Sequence, residues 1–326
     1  TLAGRQPADI SEISAHLINL IGTNTLAGPI NVTSGGNQYN LESANGLLVL
    51  AGIFTPTLPG RFLNLQGAAQ GLWAGAIEGA NTLTKRGSGM WTLAGANTYS
   101  GPTVITEGTL AVEGSLATNT VTVQGGSLSG TGVINGAVTV QSSGTLAPGN
   151  QGIGLLAISN RLVLAVGSTN AADINGSSAA CDQVVGLTSI TYGGTLAINN
   201  LGGTVANGAS FKLFDAVDYA GAFAAIQPST PGGGLAWDAS SLGVDGTLRV
   251  IGGLAQTPTN ITFSVSDGAL NLSWPATHKG WFVQSNSVSI SAGNEWFDVS
   301  GSDAGTELSI PINPAPHEVY YRLSKP

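Results

Sequence analysis

The tripeptide Thr-Leu-Ala occurs six times, beginning at Thr1, Thr25, Thr92, Thr109, Thr145 and Thr195. Successive copies start 24, 67, 17, 36 and 50 residues apart. Several of these gaps are near-multiples of roughly 17 to 25, the length of one solenoid coil. Each copy is a short apolar–polar alternation closed by Gly or Asn, the pattern of one strand and its turn. A unit of that size cannot bury its apolar face alone and must stack on its neighbours. The repeat therefore constrains the architecture before any other feature does.

Composition agrees. Glycine accounts for 48 of 326 residues and charged residues for only 9%, against about 25% in an ordinary globular domain. The 42% of hydrophobic residues is spread as alternations, which argues for packing and against disorder. No run approaches the ~18 consecutive apolar residues of a spanning helix, so no membrane-spanning segment is expected. Uncharged Ser, Thr, Asn and Gln suit stacked coils, where like residues align about 4.8 Å apart and charges in register would repel. The net charge of −8 with ten Lys and Arg provides no concentrated basic face, which excludes nucleic acid as the expected partner.

The longest ordered copy runs from Leu83-Thr84-Lys85-Arg86-Gly87-Ser88-Gly89-Met90-Trp91-Thr92-Leu93-Ala94-Gly95 through Asn97-Thr98-Tyr99-Ser100-Gly101 to Gly108-Thr109-Leu110-Ala111-Val112. This segment resembles the autotransporter-associated β-strand repeat of bacterial passenger proteins. A looser likeness extends from about Gly22 to Val250, through Gly130–Gly136 and Gly144–Gly149. The resemblance implies an exported bacterial protein, extracellular or on the outer cell surface, built as a right-handed parallel β-helix. It implies no catalytic residue, cofactor or metal site.

Three regions separate on sequence. Residues 1–22 are the least repetitive and read as an N-terminal arm or cap. Asp9-Ile10-Ser11-Glu12 has capping-box form, while residues 16–21 alternate as a strand. Residues 23–252 read as the solenoid. Strands are expected at 30–32, 47–50, 62–65, 82–84, 90–93, 109–112, 120–123, 137–140, 155–158, 161–164, 195–198, 211–214 and 247–250. About eleven coils would make a rod on the order of 50 Å long. Residues 258–326 follow a 252–258 linker and hold three of the six tryptophans. Alternations at 269–274, 280–284 and 319–323, with Asp267-Gly268 as a hairpin turn, resemble a small fibronectin type III-like sandwich around Trp274. The expected fold class is thus all-β, a right-handed parallel β-helix (β-solenoid) followed by a small antiparallel β-sandwich.

Candidate chemistry is sparse. His16, His278 and His317 stand at no ligand spacing, and Cys181 is the single cysteine, so no metal site, cofactor or intramolecular disulfide is expected. Cys181 reads as a packed or loop cysteine, and His278 as an exposed loop histidine. The solenoid's acids are Glu42, Glu78, Glu107, Glu113, Asp173, Asp182, Asp215, Asp218, Asp238 and Asp245. A polysaccharide-active site would need two or three of them to converge from adjacent coils. The pairs Asp173/Asp182 and Asp215/Asp218 are the candidates, although turn or cap roles fit them better. Trp73, Trp91 and Trp281 are candidate sugar-stacking platforms, with a core or ridge role preferred for Trp91. No catalytic residue is assigned. The sequence opens at Thr1 with no visible leader, which leaves both a processed start and a start within a longer chain open. The expected function is a structural surface protein that self-associates through its ends into a fibre or matrix. An adhesin reading, with cell-surface glycans as partners, is the alternative, and a polysaccharide-active enzyme stands third.

Overall fold

The computed structural model describes residues 2–4, 15–57, 59–232, 234–252, 259–278, 281–291, 295–303, 305–313 and 318–324. Two compact units make up the chain, Thr1–Ser229 with Trp237–Arg249, and Thr230–Ala236 with Val250–Pro326.

The first unit is a parallel β-solenoid whose coils cross three faces in turn. The second face is a ten-stranded sheet with one strand per coil, from Thr23–Leu26, Leu47–Leu50, Gln70–Trp73 and Met90–Leu93 to Thr195–Asn200 and Ala225–Gln227. Its inward column reads Asn24, Leu48, Gly71, Trp91, Leu110, Leu128, Leu146, Asn170, Leu196 and Ile226, each the register partner of the next. On the first face Leu41, Leu65, Lys85, Ile105, Val123, Val140 and Leu164 stack likewise, 24, 20, 20, 18, 17 and 24 residues apart. Leu162 then pairs with Ile190, and Ile190 with Tyr219, 28 and 29 residues on. The described residues make ten coils where about eleven were expected, because several coils exceed 20 residues and none follows Ala225–Gln227.

Alternation sets which residues face in. Leu47–Leu50 and Met90–Leu93 share the same alternate burial, with Leu48, Leu50, Trp91 and Leu93 inside. Each buried Leu or Val contributes about 1.5–3 kcal/mol. The third face is made of shorter strands, including Phe54–Pro56, Ala96–Asn97, Ser115–Leu116 and Val133–Ile134. At the corner before it, Gly52, Gly75, Gly95, Gly114 and Gly132 stack in a column. A Cβ at any of these would lie 2.0–2.2 Å from the carbonyl oxygen of the glycine one coil earlier. The coils approach so closely there that no side chain fits.

Most of the expected strands are present, four of them with the same bounds (47–50, 90–93, 109–112 and 155–158). The strand expected near 16–21 is Leu17–Asn19, paired in parallel with Gln38–Ser43. Leu2–Gly4 pairs in parallel with Ile30–Gly35. The capping-box residues, the 253–258 linker segment and His317 lie outside the described residues. One placement is corrected. Thr247–Gly252 is a strand but not a coil: its residues Thr247–Arg249 run antiparallel to Ser210–Lys212. With the short helix Leu242–Asp245, residues 247–249 cover part of the last coil. Leu242 and Leu248 are buried, the Tyr192 hydroxyl donates to the Leu242 carbonyl at 2.9 Å, and the Gly246 carbonyl accepts from the amides of Leu213 and Phe214.

The second unit holds two three-stranded antiparallel sheets. One orders Thr262–Ser266, Ala269–Ser273 and Glu307–Pro311, and the other Phe297–Asp298, Phe282–Asn286 and Tyr320–Ser324. Asp267 and Gly268 both take positive φ, 55° and 75°, as a type I′ hairpin turn requires. Leu272, Trp274 and Val283 form the buried centre, with Ile261, Leu270, Val299, Leu308, Ile310, Tyr321 and Leu323 packed against it.

Candidate functional site

Residues 83–112 carry a set of buried side-chain hydrogen bonds that tie neighbouring coils together. Lys85 occupies an inward position between Leu65 and Ile105 and is fully buried. Its ammonium donates to the carbonyls of Arg86, Gly87 and Glu107 at 2.8, 2.6 and 3.1 Å, so the charge neutralises a corner of converging carbonyl dipoles. Burial draws its pKa down to about 8, with the nearby Glu107 charge opposing. Asn97 Oδ1 accepts the Ile77 amide while its Nδ2 donates to the carbonyls of Gly95 and Ser115, linking three coils. Tyr99 is buried, its hydroxyl 2.6 Å from Thr103 Oγ1. Burial pushes its pKa up to about 12. These groups are structural: their polar atoms are engaged with backbone or with one another. Sequence reasoning passed over Lys85, because a lysine in an alternating strand ordinarily faces solvent.

Of the acid pairs, Asp173 and Asp182 do come together. Asp182 is buried, and its two carboxylate oxygens accept the amides of Gly154 and Asp173, both at 2.8 Å. Asp173 lies within the strand Thr169–Ile174, not in a turn, and accepts from Asn199 Nδ2 at 2.8 Å. The Asp182 carboxyl is raised from 3.8 to about 6, chiefly by burial. The two amides oppose the shift and the Asp173 charge adds to it. This is a backbone staple between loop and strand, with both oxygens committed. Asp215 pairs with Lys212 at 3.3 Å on the surface. Among the described residues no group of three His, Cys, Asp or Glu side chains converges.

The Asp182 staple predicts a pH effect of definite sign. The folded-state pKa lies above the unfolded value, so the native state binds the proton more tightly between about pH 4 and 6. Wild-type stability should therefore fall across that window as pH rises, relative to Asp182→Asn, which does not titrate. Urea unfolding of both proteins at pH 4, 5 and 6.5 measures this directly; parallel profiles would refute the assignment.

The aromatic platforms are not available to a ligand. Trp73 and Trp91 are fully buried, and their indole N–H groups donate to the carbonyls of Gly52 and Gln66 at 3.1 and 3.0 Å. Trp281 is buried too, its ring centroid 5.0 Å from that of His278. His278 is itself buried in the short 3₁₀ turn Ala276–His278, which corrects its reading as an exposed loop residue. Cys181 is packed, its Sγ 3.4 Å from the Lys212 carbonyl oxygen, and burial raises its pKa to about 11, so the thiol is unreactive. The lateral surface offers a shallow depression lined by Glu42, Gln66, Arg86, Thr106 and Glu107, of mixed charge, where Gln66 Nε2 donates to Glu42 Oε2 at 3.0 Å.

What the sequence did not single out lies at the first coil. Ile18, Leu20, Ile21 and Leu26 are exposed there together, Leu20 at 68% and Ile21 at 74%. Leu17–Asn19 and Thr23–Leu26 are terminal strands of their sheets.

Comparison with known proteins places the repeat. Residues 83–112 match the family model described as passenger-associated-transport-repeat. The chain is 36% identical over 129 residues to an extracellular serine protease of Serratia marcescens, covering 39% of this chain and 12% of that protein. It is 43% identical over 84 residues to the adhesin BmaC autotransporter of Brucella suis biovar 1 (strain 1330), covering 25% of this chain and 2% of that protein. The chain thus spans only a small part of either relative's length. Residues 83–112, which match the passenger-associated-transport repeat, are set within a parallel β-solenoid.

Proposed function

We propose that this protein is a secreted or cell-surface bacterial scaffold of the passenger type, without catalytic activity of its own, that self-associates through the open end of its solenoid. Passenger-like relatives support the location, and the commitment of the buried Asp182 and Lys85 to backbone partners supports the absence of catalysis. The aligned part covers little of the relative named as a serine protease, so that activity is not carried over. The observation that carries self-association is the exposed apolar edge of the first coil. The first coil leaves two terminal strands with four exposed apolar side chains, while residues 242–249 cover part of the last coil, around Tyr192 and Phe214. Unpaired edges of this kind template further pairing. Gly28 points the same way. It heads the glycine column in which every later member has a carbonyl of the preceding coil against it, yet nothing lies within 4 Å of its own Cβ position.

The fibronectin type III-like reading of the C-terminal module is part of the same proposal. It rests on two three-stranded sheets closing around Trp274. An adhesin role is the second reading, favoured by the relative named as an adhesin.

Sedimentation and electron microscopy of the purified chain test the proposal. Wild type is expected to form assemblies. Ile21→Lys, at an exposed position, and removal of residues 1–12 are expected to disrupt contacts at this end without unfolding the solenoid. Assemblies unchanged by both would sink the open-end reading, and uniform monomeric rods would move the choice to adhesion and to a glycan-binding screen.

A further inference from the structure

We infer a second self-association surface, the edge strand Thr262–Ser266, which pairs antiparallel with the same strand of another copy about a two-fold axis at Ser264. The inference deepens the self-association reading above and rests on it for its biological sense, but it stands on different residues.

The strand is exposed along its whole length and bonded on one side only, to Ala269–Ser273. Its register there is regular, with Phe263 opposite Leu272 and Val265 opposite Leu270. Residues directly opposite in an antiparallel pair project to the same side of the sheet. Phe263 and Val265 therefore lie on the face that carries the module's core residues Leu272 and Leu270, yet they remain 74% and 62% exposed. Two apolar side chains on the core side of a sheet, left uncovered, mark an unfinished surface.

The other sheet edges are guarded. Glu307–Pro311, the opposite edge of the same sheet, carries a charge and a proline; Phe297–Asp298 and Tyr320–Ser324 carry Asp298 and Arg322. Charge and proline are the usual means of blocking edge-to-edge pairing. Thr262–Ser266 has neither. In a two-fold pairing a lone charge near the axis would face its own copy, so a neutral strand is the electrostatically compatible one.

The order Thr-Phe-Ser-Val-Ser also fits itself. With Ser264 on the axis, Phe263 opposes Val265 of the partner subunit, and Thr262 opposes Ser266 of the partner subunit. Leu308, Leu272 and Phe263 of one copy then continue into the partner's Val265, the partner's Leu270 and the partner's Ile310. This is an unbroken apolar row across a six-stranded sheet, and the two-fold generates a second such row. A five-residue edge buries less than the ~1,200 Å² of a standard stable interface, so the contact is weak and concentration-dependent. One isologous contact closes at a dimer. Two different ones, at the solenoid end and at this edge, propagate a chain.

The experiment uses the full chain in an Ile21→Lys background, which blocks the solenoid end. Sedimentation velocity should show a monomer–dimer equilibrium in the micromolar range or weaker, and adding Val265→Lys should weaken it at least tenfold. Ser264→Cys gives an independent readout, since the native Cys181 is buried. Under mild oxidation it should form a disulfide-linked dimer faster than Ser291→Cys, an exposed control elsewhere on the module. Equal cross-linking at the two positions, or a dimer indifferent to Val265→Lys, overturns the inference. Assemblies larger than a dimer that survive Ile21→Lys but dissociate with Val265→Lys would count against the open-end reading and leave this one standing.

Discussion

Gly95→Ala is expected to lower the unfolding free energy by about 3 kcal/mol or more, while Gly28→Ala leaves it unchanged or raises it slightly. The added methyl is the same and both residues belong to one column at one corner of the solenoid. At Gly95 the new Cβ lies 2.1 Å from the carbonyl oxygen of Gly75, and its other nearest neighbours are also backbone atoms. Backbone held in a parallel ladder cannot rotate away as a side chain does, so adjacent coils must separate and lose hydrogen bonds. Overpacking of this kind costs ~1–3 kcal/mol and sometimes more. At Gly28 the same methyl meets nothing within 4 Å, and the reduced freedom of the unfolded chain favours alanine by ~0.4–1 kcal/mol. Chemical denaturation of the two variants decides the matter. Equal destabilisation would mean that glycine is required for its backbone conformation and not for close approach of the coils.

Trp91→Ala should cost about 3–5 kcal/mol, the range for deleting a large buried aromatic, with Gln66 losing its indole donor as well. The more telling result is its coupling to Gly71. These residues are register partners in adjacent coils, and a Cβ on Gly71 would lie 2.3 Å from the Trp91 ring. The indole occupies the space that the glycine leaves empty. Gly71→Ala should thus destabilise the wild-type protein but be tolerated in the Trp91→Ala background. A double-mutant cycle measures this as an interaction energy of about 1–3 kcal/mol. Additive effects would mean that the two coils do not interlock at this point. Because a solenoid is coupled only between neighbours, the damage should concentrate in the coils around Trp91, which hydrogen exchange resolves.

Both effects bear on function through rigidity. A scaffold of the proposed kind works by holding its shape and by what its ends and edges present. The glycine columns, the Lys85 cap and the Asn97 bridges keep the coils in register, while the exposed apolar residues of the first coil and of Thr262–Ser266 supply the proposed contacts.

The sequence by itself determined the stacking unit. Thr-Leu-Ala strands closed by glycine leave few ways to bury Leu48, Leu93 or Leu110 except against the equivalent residue one coil away, because alternation and turn chemistry are local properties. The Asp267-Gly268 hairpin was legible for the same reason. Burial of polar and aromatic groups was decided only in three dimensions. Lys85, Asp182 and His278 each sit in a local pattern compatible with exposure; one carbonyl that takes in Lys85, that of Glu107, comes from the next coil, and the amides that hold Asp182 come from Gly154 and Asp173. The covering of part of the last coil was likewise hidden. Thr247–Gly252 looks like another coil strand, and its antiparallel pairing with Ser210–Lys212, which helps cover the last coil, depends on a chain reversal that no repeat period encodes.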